Sequence, residues 1–446
     1  MKPCASPEWT VKTLGERLVP SPLGLSNEPG DGVPDYVPDG TRVLFDVELA
    51  PGETCDPSRA FEKAGPRDLI YFDPPSVHAG VVTAGGLCPG SNNVIRSLVL
   101  HLYHRYGVRE ITGFRYGFAG LDPAANLAPL RLGPNEVEHI HTRGGSVLGT
   151  SRGRHDVGEM LDTLAAYGVD CLFTIGGDGT MRAAHALAEG AAARKLKLAV
   201  IGVPKTVDND IAFVDKTFGF ETAVEMSRLA IDAANIEATS VRNGVGLVKL
   251  MGRNAGFIAA HATLASHDVN VCLVPEVRFS IDGPSGLLAY LERRIATRAH
   301  AVVVVAEGCG KLLVERRAEA GKEAPRDASG NLRYASAELD IGVFLKDRIT
   351  EHFASAGVEV NLKYIDPSYM IRGVPADAND AVFCDELARV ASHAAMAGKT
   401  DMLVGRWHRK FTHVPLAMAL SERRCIDPDR ELWLGVTETT GQPRLT

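Results

Sequence analysis

Val169-Asp-Cys-Leu-Phe-Thr-Ile175 runs straight into Gly176-Gly-Asp-Gly-Thr180, and a helical period then covers Met181 to Glu189. An unbroken apolar run, a glycine-rich turn and a helix, in that order, make half of a βαβ unit. The run does not alternate, as expected where both faces of a sheet are covered. The same order recurs on either side. Upstream, Ala79-Gly-Val-Val-Thr83 leads into Ala84-Gly-Gly-Leu-Cys-Pro-Gly90 and a helical stretch from Asn93 to Tyr106. Downstream, Leu196 to Val203 leads into Pro204-Lys-Thr-Val-Asp-Asn-Asp210, and Ala301 to Ala306 into Glu307-Gly308. These units predict an α/β protein with mostly parallel sheets. Before them, residues 1 to about 65 are rich in turn formers around one strand-like island, Thr41 to Val47. That segment reads as an extension lying against the main body.

The 446 residues allow two or three domains at roughly 150 residues each. Glycine, at 45 residues, exceeds the average share of about 7%, which points to many backbone-critical loops. Lys and Arg number 48 against 55 Asp and Glu, a net charge of −7. That balance argues against a nucleic-acid partner. No apolar run approaches the ~18 residues of a membrane span, so a soluble chain without a membrane partner is expected. The eight cysteines lie at least 33 residues apart, with no CxxC pair and no HExxH string, so zinc and dithiol readings find no support. They read as free thiols in a reducing compartment. Met1 to Ala50 lacks an apolar signal core and is too acidic for a transit peptide, and Pro443-Arg-Leu-Thr446 matches no retrieval or peroxisomal signal. A cytoplasmic location is the expectation.

In sheets of this class the ligand sits beyond the carboxyl ends of the strands, and the richest polar-glycine clusters fall there. Gly85-Gly86 opens a helix and lets backbone N–H groups approach a phosphate, although the pair equally suits a plain βα turn. Neither G-x-G-x-x-G nor GxxxxGK[ST] occurs, so dinucleotide-fold and Walker-type readings find no support. Asp178, between Gly177 and Gly179, offers an unobstructed carboxylate suited to Mg²⁺, with amides beside it for phosphate oxygens. Thr180 in the same string also suits a helix cap, and the two roles are compatible. Asp208 and Asp210 point the same way if their segment is extended. One would then accept a proton from a substrate hydroxyl while the other supports a metal. Lys205 would neutralise charge on a transferring phosphoryl group. A solvated acidic turn is the alternative for this string.

Taken together, the motifs resemble the phosphofructokinase family. The matching strings come in the family's order over roughly residues 66 to 420: Thr83 to Val94, Gly145-Ser-Val-Leu-Gly-Thr-Ser-Arg-Gly153, Ile175 to Thr180, Pro204 to Asp210, Phe218 to Ala223, Met251-Gly-Arg-Asn-Ala-Gly-Phe-Ile-Ala259, Val274-Pro-Glu276, Ala306-Glu-Gly308 and Tyr364-Ile-Asp-Pro-Ser-Tyr-Met-Ile-Arg-Gly373. GGDGT alone also occurs in NAD and lipid kinases; GGDGT followed by PKTVDND and MGR is far more specific. The resemblance implies two Rossmann-like three-layer domains with mostly parallel sheets facing a cleft. It implies ATP and fructose 6-phosphate as substrates, Mg²⁺ as cofactor, and a homo-oligomer, a homotetramer or else a dimer. It also places a nucleotide-binding domain at 66–218 plus 372–425, a fructose 6-phosphate domain at 219–371 and a tail at 426–446.

Carried onto this sequence, Asp208 resembles the base that takes the 1-hydroxyl proton, and Asp178 the Mg²⁺-nucleotide ligand with Asp210 nearby. Gly86, Arg152, Gly177, Gly179 and Thr180 match nucleotide-binding positions. Arg152, Lys205 and Thr206 match groups around the reacting phosphoryl. Thr206, Met251, Gly252, Arg253, Glu307, Lys363, Tyr369 and Arg372 match sugar-phosphate contacts. Donor choice turns on Gly179, where pyrophosphate users typically carry an Asp that repels an α-phosphate. Lys205 is the residue of pyrophosphate users, yet Gly179 with Lys205 and a long N-terminal extension resembles the ATP-dependent branch of plants and trypanosomatids. ATP is therefore the expected donor, with a pyrophosphate-dependent enzyme or a non-catalytic subunit as alternatives. Three positions depart from the pattern and bear on nucleotide affinity: Ala183, usually glycine near the adenine side; Met181, in place of a common polar residue; and Arg154, just beyond Arg152, where the branch often has a smaller residue.

Overall fold

The computed structural model describes residues 9–153, 155–326, 332–334, 336 and 338–446. Two units divide the chain. The first comprises residues up to Thr206, Ile211–Gly219 and Val374–Arg423; the second comprises Val207–Asp210, Phe220–Gly373 and Arg424–Thr446. Residues 207–210, expected in the nucleotide half, thus cluster with the other unit, and so does the tail from Arg424.

The first unit is built on a nine-stranded sheet. Its strands run, from edge to edge, Arg42–Leu44, Ala60–Lys63, Lys410–Pro415, Met402–Trp407, Ala199–Pro204, Cys171–Gly176, His78–Thr83, Glu110–Phe114 and Leu130–Arg131. The five from Met402–Trp407 to Glu110–Phe114 are mutually parallel, and the outer strands pair antiparallel. Every residue of Cys171–Gly176 and of Ala199–Pro204 is buried. The helices Asp178–Ala193 and Ala378–Met396 both pack on the latter strand. Such cover removes the need for alternation, which is why these strands read as plain apolar runs.

The turn-rich extension is part of this unit. Arg42–Leu44 and Ala60–Lys63 prolong the sheet past Lys410–Pro415. Phe61 is fully buried within an aromatic cluster of Trp9, Phe45, Phe213 and Trp407. Beside it, Glu62 takes Arg67 Nη2 at 2.9 Å and Lys399 Nζ at 2.8 Å, with Arg67 only 2% exposed. Burial works to raise the Glu62 pKa, but His413 and Lys399 outweigh it and hold the carboxyl well below the usual range. A depressed folded-state pKa means stabilisation present above the unfolded value and lost as pH falls through the folded one. Glu62→Gln leaves the buried Lys399 ammonium without its counter-charge and removes one of the two carboxylates, Glu62 and Asp39, that Arg67 meets. We expect it to lower the unfolding free energy at pH 7 by about 3–5 kcal/mol, with the deficit shrinking in acid. Denaturant melts of both proteins across pH check this; parallel curves would remove Glu62 from that role.

The second unit carries a four-stranded, all-parallel sheet in the order Val271–Leu273, His300–Ala306, Gly244–Leu250, Asn361–Ile365. The tail closes onto its edge. Gln442 donates to and accepts from the backbone of Cys272, and Glu276 accepts from the N–H groups of Gly256 and Ile426. Among the described residues no helix is long and apolar enough to cross a membrane.

Candidate active site

In the first unit the three glycine-polar strings meet at the carboxyl ends of adjacent strands. Ala84 donates to the Ile175 carbonyl and Lys205 to that of Gly176, so the ladder continues past the strand ends. Gly85 has φ +89°, a left-handed conformation that a side chain would strain. Its N–H donates to Ser151, and Thr150 Oγ1 donates back to its carbonyl at 2.6 Å. That exchange hangs the Gly145–Gly153 string on the Gly85-Gly86 loop. A Cβ on Gly86 would lie 3.4 Å from an Arg152 guanidinium nitrogen. Lys205, 5% exposed, donates through Nζ to the Gly86 carbonyl. Gly86, Arg152, Lys205 and Gly177 therefore share one neighbourhood, with Gly177 against the Lys205 carbonyl.

The helix after Cys171–Gly176 begins at Asp178, with Gly177 as its N-cap. Thr180 consequently does not cap it; its side chain is buried and folds over Gly176, where any Cβ would collide with it. Asp178 takes Arg182 Nη2 at 3.1 Å and Arg423 Nη2 at 3.2 Å, and Gly179 beside it faces open space. Three of the four contacts from these arginines fall on Oδ2 and one on Oδ1, and since each carboxylate oxygen offers about two acceptor sites, Oδ1 keeps capacity. Mg²⁺ keeps several waters and uses one or two carboxylates plus substrate phosphates. A one-third exposed carboxylate at a helix start, beside the open space at Gly179, fits that ion. In the one three-ligand group among the described residues, His185, Glu189 and Asp401, both carboxylates already meet the Lys12 ammonium and Asp401 also meets His185. Met181, which stands where a polar residue is common, is 1% exposed and belongs to the core, and Ala183, read as near the adenine side, packs against that core. Arg154 lies outside the described residues.

The second unit assembles a different chemistry. The chain turns at Val207 and Asp208, and Asn209 adopts φ +55°. The segment is not extended, so the inference that Asp208 and Asp210 point alike fails. Asn tolerates the left-handed conformation at low cost, and that property, visible in the string, signals the turn. Asp208 Oδ2 accepts from the Arg253 N–H at 3.2 Å. Arg253 follows Gly252, whose φ of +125° requires glycine, and the Gly252 carbonyl accepts from Gly308 at 3.0 Å. A Cβ on Gly308 would strike the Arg253 carbonyl, so two glycines are needed to bring Met251-Gly-Arg253 against Glu307-Gly308.

Burial, then the neighbouring Glu307 charge, pushes the Asp208 carboxyl up; the Arg253 N–H, Arg372 and Arg253 pull against it. Glu307 is likewise raised by burial, against the pull of Arg372, Arg253 and Lys249. Two carboxylates and two guanidiniums thus form one electrostatic group. Tyr334, absent from the motif reading, joins it. Its hydroxyl is pushed up to about 12 by burial, with Arg253 lowering it and Glu307 raising it. No motif surrounds Tyr334, so the sequence carried no signal for it. Arg424 was also missed. It donates to the Asn209 and Asp210 carbonyls and lies 4.7 Å over the Phe257 ring.

Other expected contacts stand apart. Met251 is 1% exposed and serves the core. Lys363 is exposed on the edge strand, where its neighbour Tyr364 turns inward to Asp340 instead. Tyr369 is 88% exposed. Thr206 belongs to the first unit, and its carbonyl accepts from Thr217 Oγ1 at 2.6 Å.

These groups can be compared with known proteins. The family profile described as phosphofructokinase matches residues 78–395. A protein of Amycolatopsis methanolica named ATP-dependent 6-phosphofructokinase is 48% identical over 438 residues, covering 97% of this chain and 94% of its own. One of the same name from Trypanosoma cruzi is 46% identical, over 85% of this chain and 76% of its own. Among solved structures, a pyrophosphate-dependent phosphofructokinase from Marinobacter aquaeolei superposes with a TM-score of 0.64. It covers 82% of this chain and 92% of that one at 18% identity, a likeness of fold. With the profile spanning most of the chain and such identities running over nearly all of it, the chain belongs to the phosphofructokinase family.

Proposed function

We propose that the chain is an ATP-dependent 6-phosphofructokinase, transferring the γ-phosphoryl group of ATP to the 1-hydroxyl of D-fructose 6-phosphate. The observation that carries the reading is Asp208, a carboxylate held by the Arg253 N–H and raised by burial and by Glu307. A raised carboxyl is the better proton acceptor, and it stands with two cations suited to a sugar phosphate. Asp208 takes the 1-hydroxyl proton as that oxygen attacks the γ-phosphorus. The bond from that phosphorus to the bridging oxygen breaks, giving fructose 1,6-bisphosphate and ADP. Arg253, Arg372 and Glu307 hold the sugar phosphate, with Gly252 giving backbone access. Of the other residues matched to that role, Lys363 and Tyr369 are exposed and Met251 lies in the core. Gly86, Arg152, Lys205, Gly177, Gly179 and Thr180 frame the nucleotide phosphates, and Thr206 adjoins Lys205 in the chain. Mg²⁺ held through Asp178 would screen the phosphate charges and orient the departing group. Phosphoryl transfer asks the protein mainly for positioning and neutralisation, which this residue set supplies.

Gly179 favours ATP over pyrophosphate, because the space beside it is open. The decisive assay sets fructose 6-phosphate against ATP and against pyrophosphate side by side, and faster turnover with pyrophosphate would reverse the donor. Self-association as a homotetramer or dimer is part of the reading, with light scattering as its check. The cytoplasm suits the seven described cysteines, among which the structure shows no disulfide.

The acid limb of the rate profile offers a separate test. Asp208 must be unprotonated to act, so activity rises with pH through its pKa. The Glu307 charge raises that pKa, and its removal lowers it. Glu307→Gln should therefore move the acid limb of kcat/KM to lower pH while weakening sugar-phosphate binding. A limb that stays in place would remove Glu307 from control of the base.

A further inference from the structure

Lys249 is a buried cation that the reaction outlined above does not use. It lies in the Gly244–Leu250 strand with a side chain 4% exposed. Its Nζ reaches Asp340 Oδ2 at 2.7 Å and Asp366 Oδ2 at 2.9 Å. The Tyr364 hydroxyl, which also interacts with Lys249, donates to Asp340 Oδ1 at 3.5 Å. Both aspartates divide their oxygens in the same way. Asp340 Oδ1 accepts from the N–H groups of Gly342 and Val343 and caps the Ile341–Ser355 helix. Asp366 Oδ1 accepts from the N–H of Ser368 at 3.1 Å and from its hydroxyl at 2.5 Å, at the start of the Ser368–Gly373 helix.

The two helices need this help unequally. Ile341–Ser355 has 15 residues and buries Ile341, Leu345, Ile349 and Phe353, so packing alone orients it. Ser368–Gly373 has six residues and buries one, Ile371. A helix that short is not stable by itself, and beyond its packing on the Phe220–Ser240 helix it takes its direction from its tethers. Arg372 sits in its last turn and acts on both Asp208 and Glu307. Buried ion pairs contribute little net stability, so stability alone gives weak grounds for a lysine here.

We propose that Lys249, through Asp366, is a positioning residue that fixes the Ser368–Gly373 helix so that its Arg372 guanidinium meets the substrate's phosphate group. The assignment rests on the sugar-phosphate role given to Arg372 above. Cutting the tether while leaving Arg372 in place should therefore reproduce the loss of Arg372 itself.

The test is a double-mutant cycle read by direct binding of fructose 6-phosphate to the full-length protein in calorimetry, with steady-state kinetics alongside. Asp366→Asn keeps an acceptor for Ser368 but turns a neutral amide toward Lys249. It should raise the fructose 6-phosphate Kd on the order of tenfold, with the KM for ATP unchanged. Arg372→Ala should do the same, and the double variant should lose no more than either single one. Asp340→Asn removes the other counter-charge of Lys249, and it should lower Tm like Asp366→Asn while leaving the sugar-phosphate Kd within twofold. Lys249→Met should match Asp366→Asn, and Lys249→Arg should recover part of the loss. Additive losses in the cycle overturn the proposal, as does an Asp340→Asn variant that binds sugar phosphate as poorly as Asp366→Asn. If Asp366→Asn and Lys249→Met lose nothing while Arg372→Ala loses binding, the tether is refuted and the role of Arg372 stands. If Arg372→Ala also binds normally, the sugar-phosphate assignment falls first.

Discussion

Asp208→Asn should retain fructose 6-phosphate binding and lose kcat by on the order of 10²–10⁴. The amide keeps the shape of the carboxylate, and its oxygen can still accept the Arg253 N–H that now reaches Oδ2 at 3.2 Å. What disappears is the proton acceptor. The sign of the stability change sets this loss apart from a folding defect. The Asp208 pKa is raised in the folded protein, by burial first and by Glu307 second. A raised folded-state pKa means a contribution that is fully present below the unfolded value and lost as pH rises through the folded one. At pH 7 the ionised carboxylate therefore works against the fold, and the neutral amide should be at least as stable. An inactive protein with equal or higher Tm is the expected pair of results, as for other groups strained for function. Single-turnover kinetics and thermal melts measure both. A variant that keeps most of its kcat would remove Asp208 from the role of base.

What the sequence made legible follows the range of the interactions involved. The runs ending at Thr83, Ile175, Val203 and Ala306 were readable because central parallel strands bury both faces and are apolar along their length. The glycine strings were readable because a close backbone approach admits no other residue; Gly252 and Gly308 are examples. In the extension the strand-like island Thr41 to Val47 was readable and holds the strand Arg42–Leu44, whereas Ala60–Lys63 was not readable as a strand. Ala60–Lys63 becomes a strand by pairing with Lys410–Pro415, some 350 residues later, and tertiary context of that kind outweighs local propensity. Shorter but still long-range separations hid Tyr334 beside Arg253, and Lys249 between Asp340 and Asp366. A lone Tyr or Lys in a string says nothing of partners brought by separate elements. Family resemblance named Lys363 and Tyr369 by position, yet one is exposed on an edge strand and the other stands out into solvent.

Gly179→Asp should fold normally and lose ATP-driven kcat/KM by on the order of 10²-fold or more. Three features protect the fold. Gly179 is the second residue of the Asp178–Ala193 helix, its φ lies outside the left-handed range, and a Cβ there meets nothing within 4 Å. An acidic side chain in a first helical turn is favoured by the helix dipole, by about 0.3–1 kcal/mol, and replacing a helical glycine adds to that. The variant should therefore melt at or above the wild-type temperature. The cost appears only when a nucleotide arrives. The new carboxylate stands one residue from Asp178, where the phosphates and their Mg²⁺ are proposed to lie, and like charges placed face to face cost several kcal/mol. Arg182 and Arg423 already serve Asp178 and would offset only part of that repulsion. Gly179→Ala separates bulk from charge, since it adds a Cβ alone; it should lose far less than the aspartate. With Lys205 present, the Asp variant holds both residues typical of pyrophosphate users, so a trace of pyrophosphate-driven turnover is the expected companion result. Circular dichroism and a thermal melt at matched concentration precede the kinetics. If the folded Asp variant uses ATP as efficiently as wild type, open space at Gly179 is not what admits the nucleotide, and the choice of donor must rest on another residue.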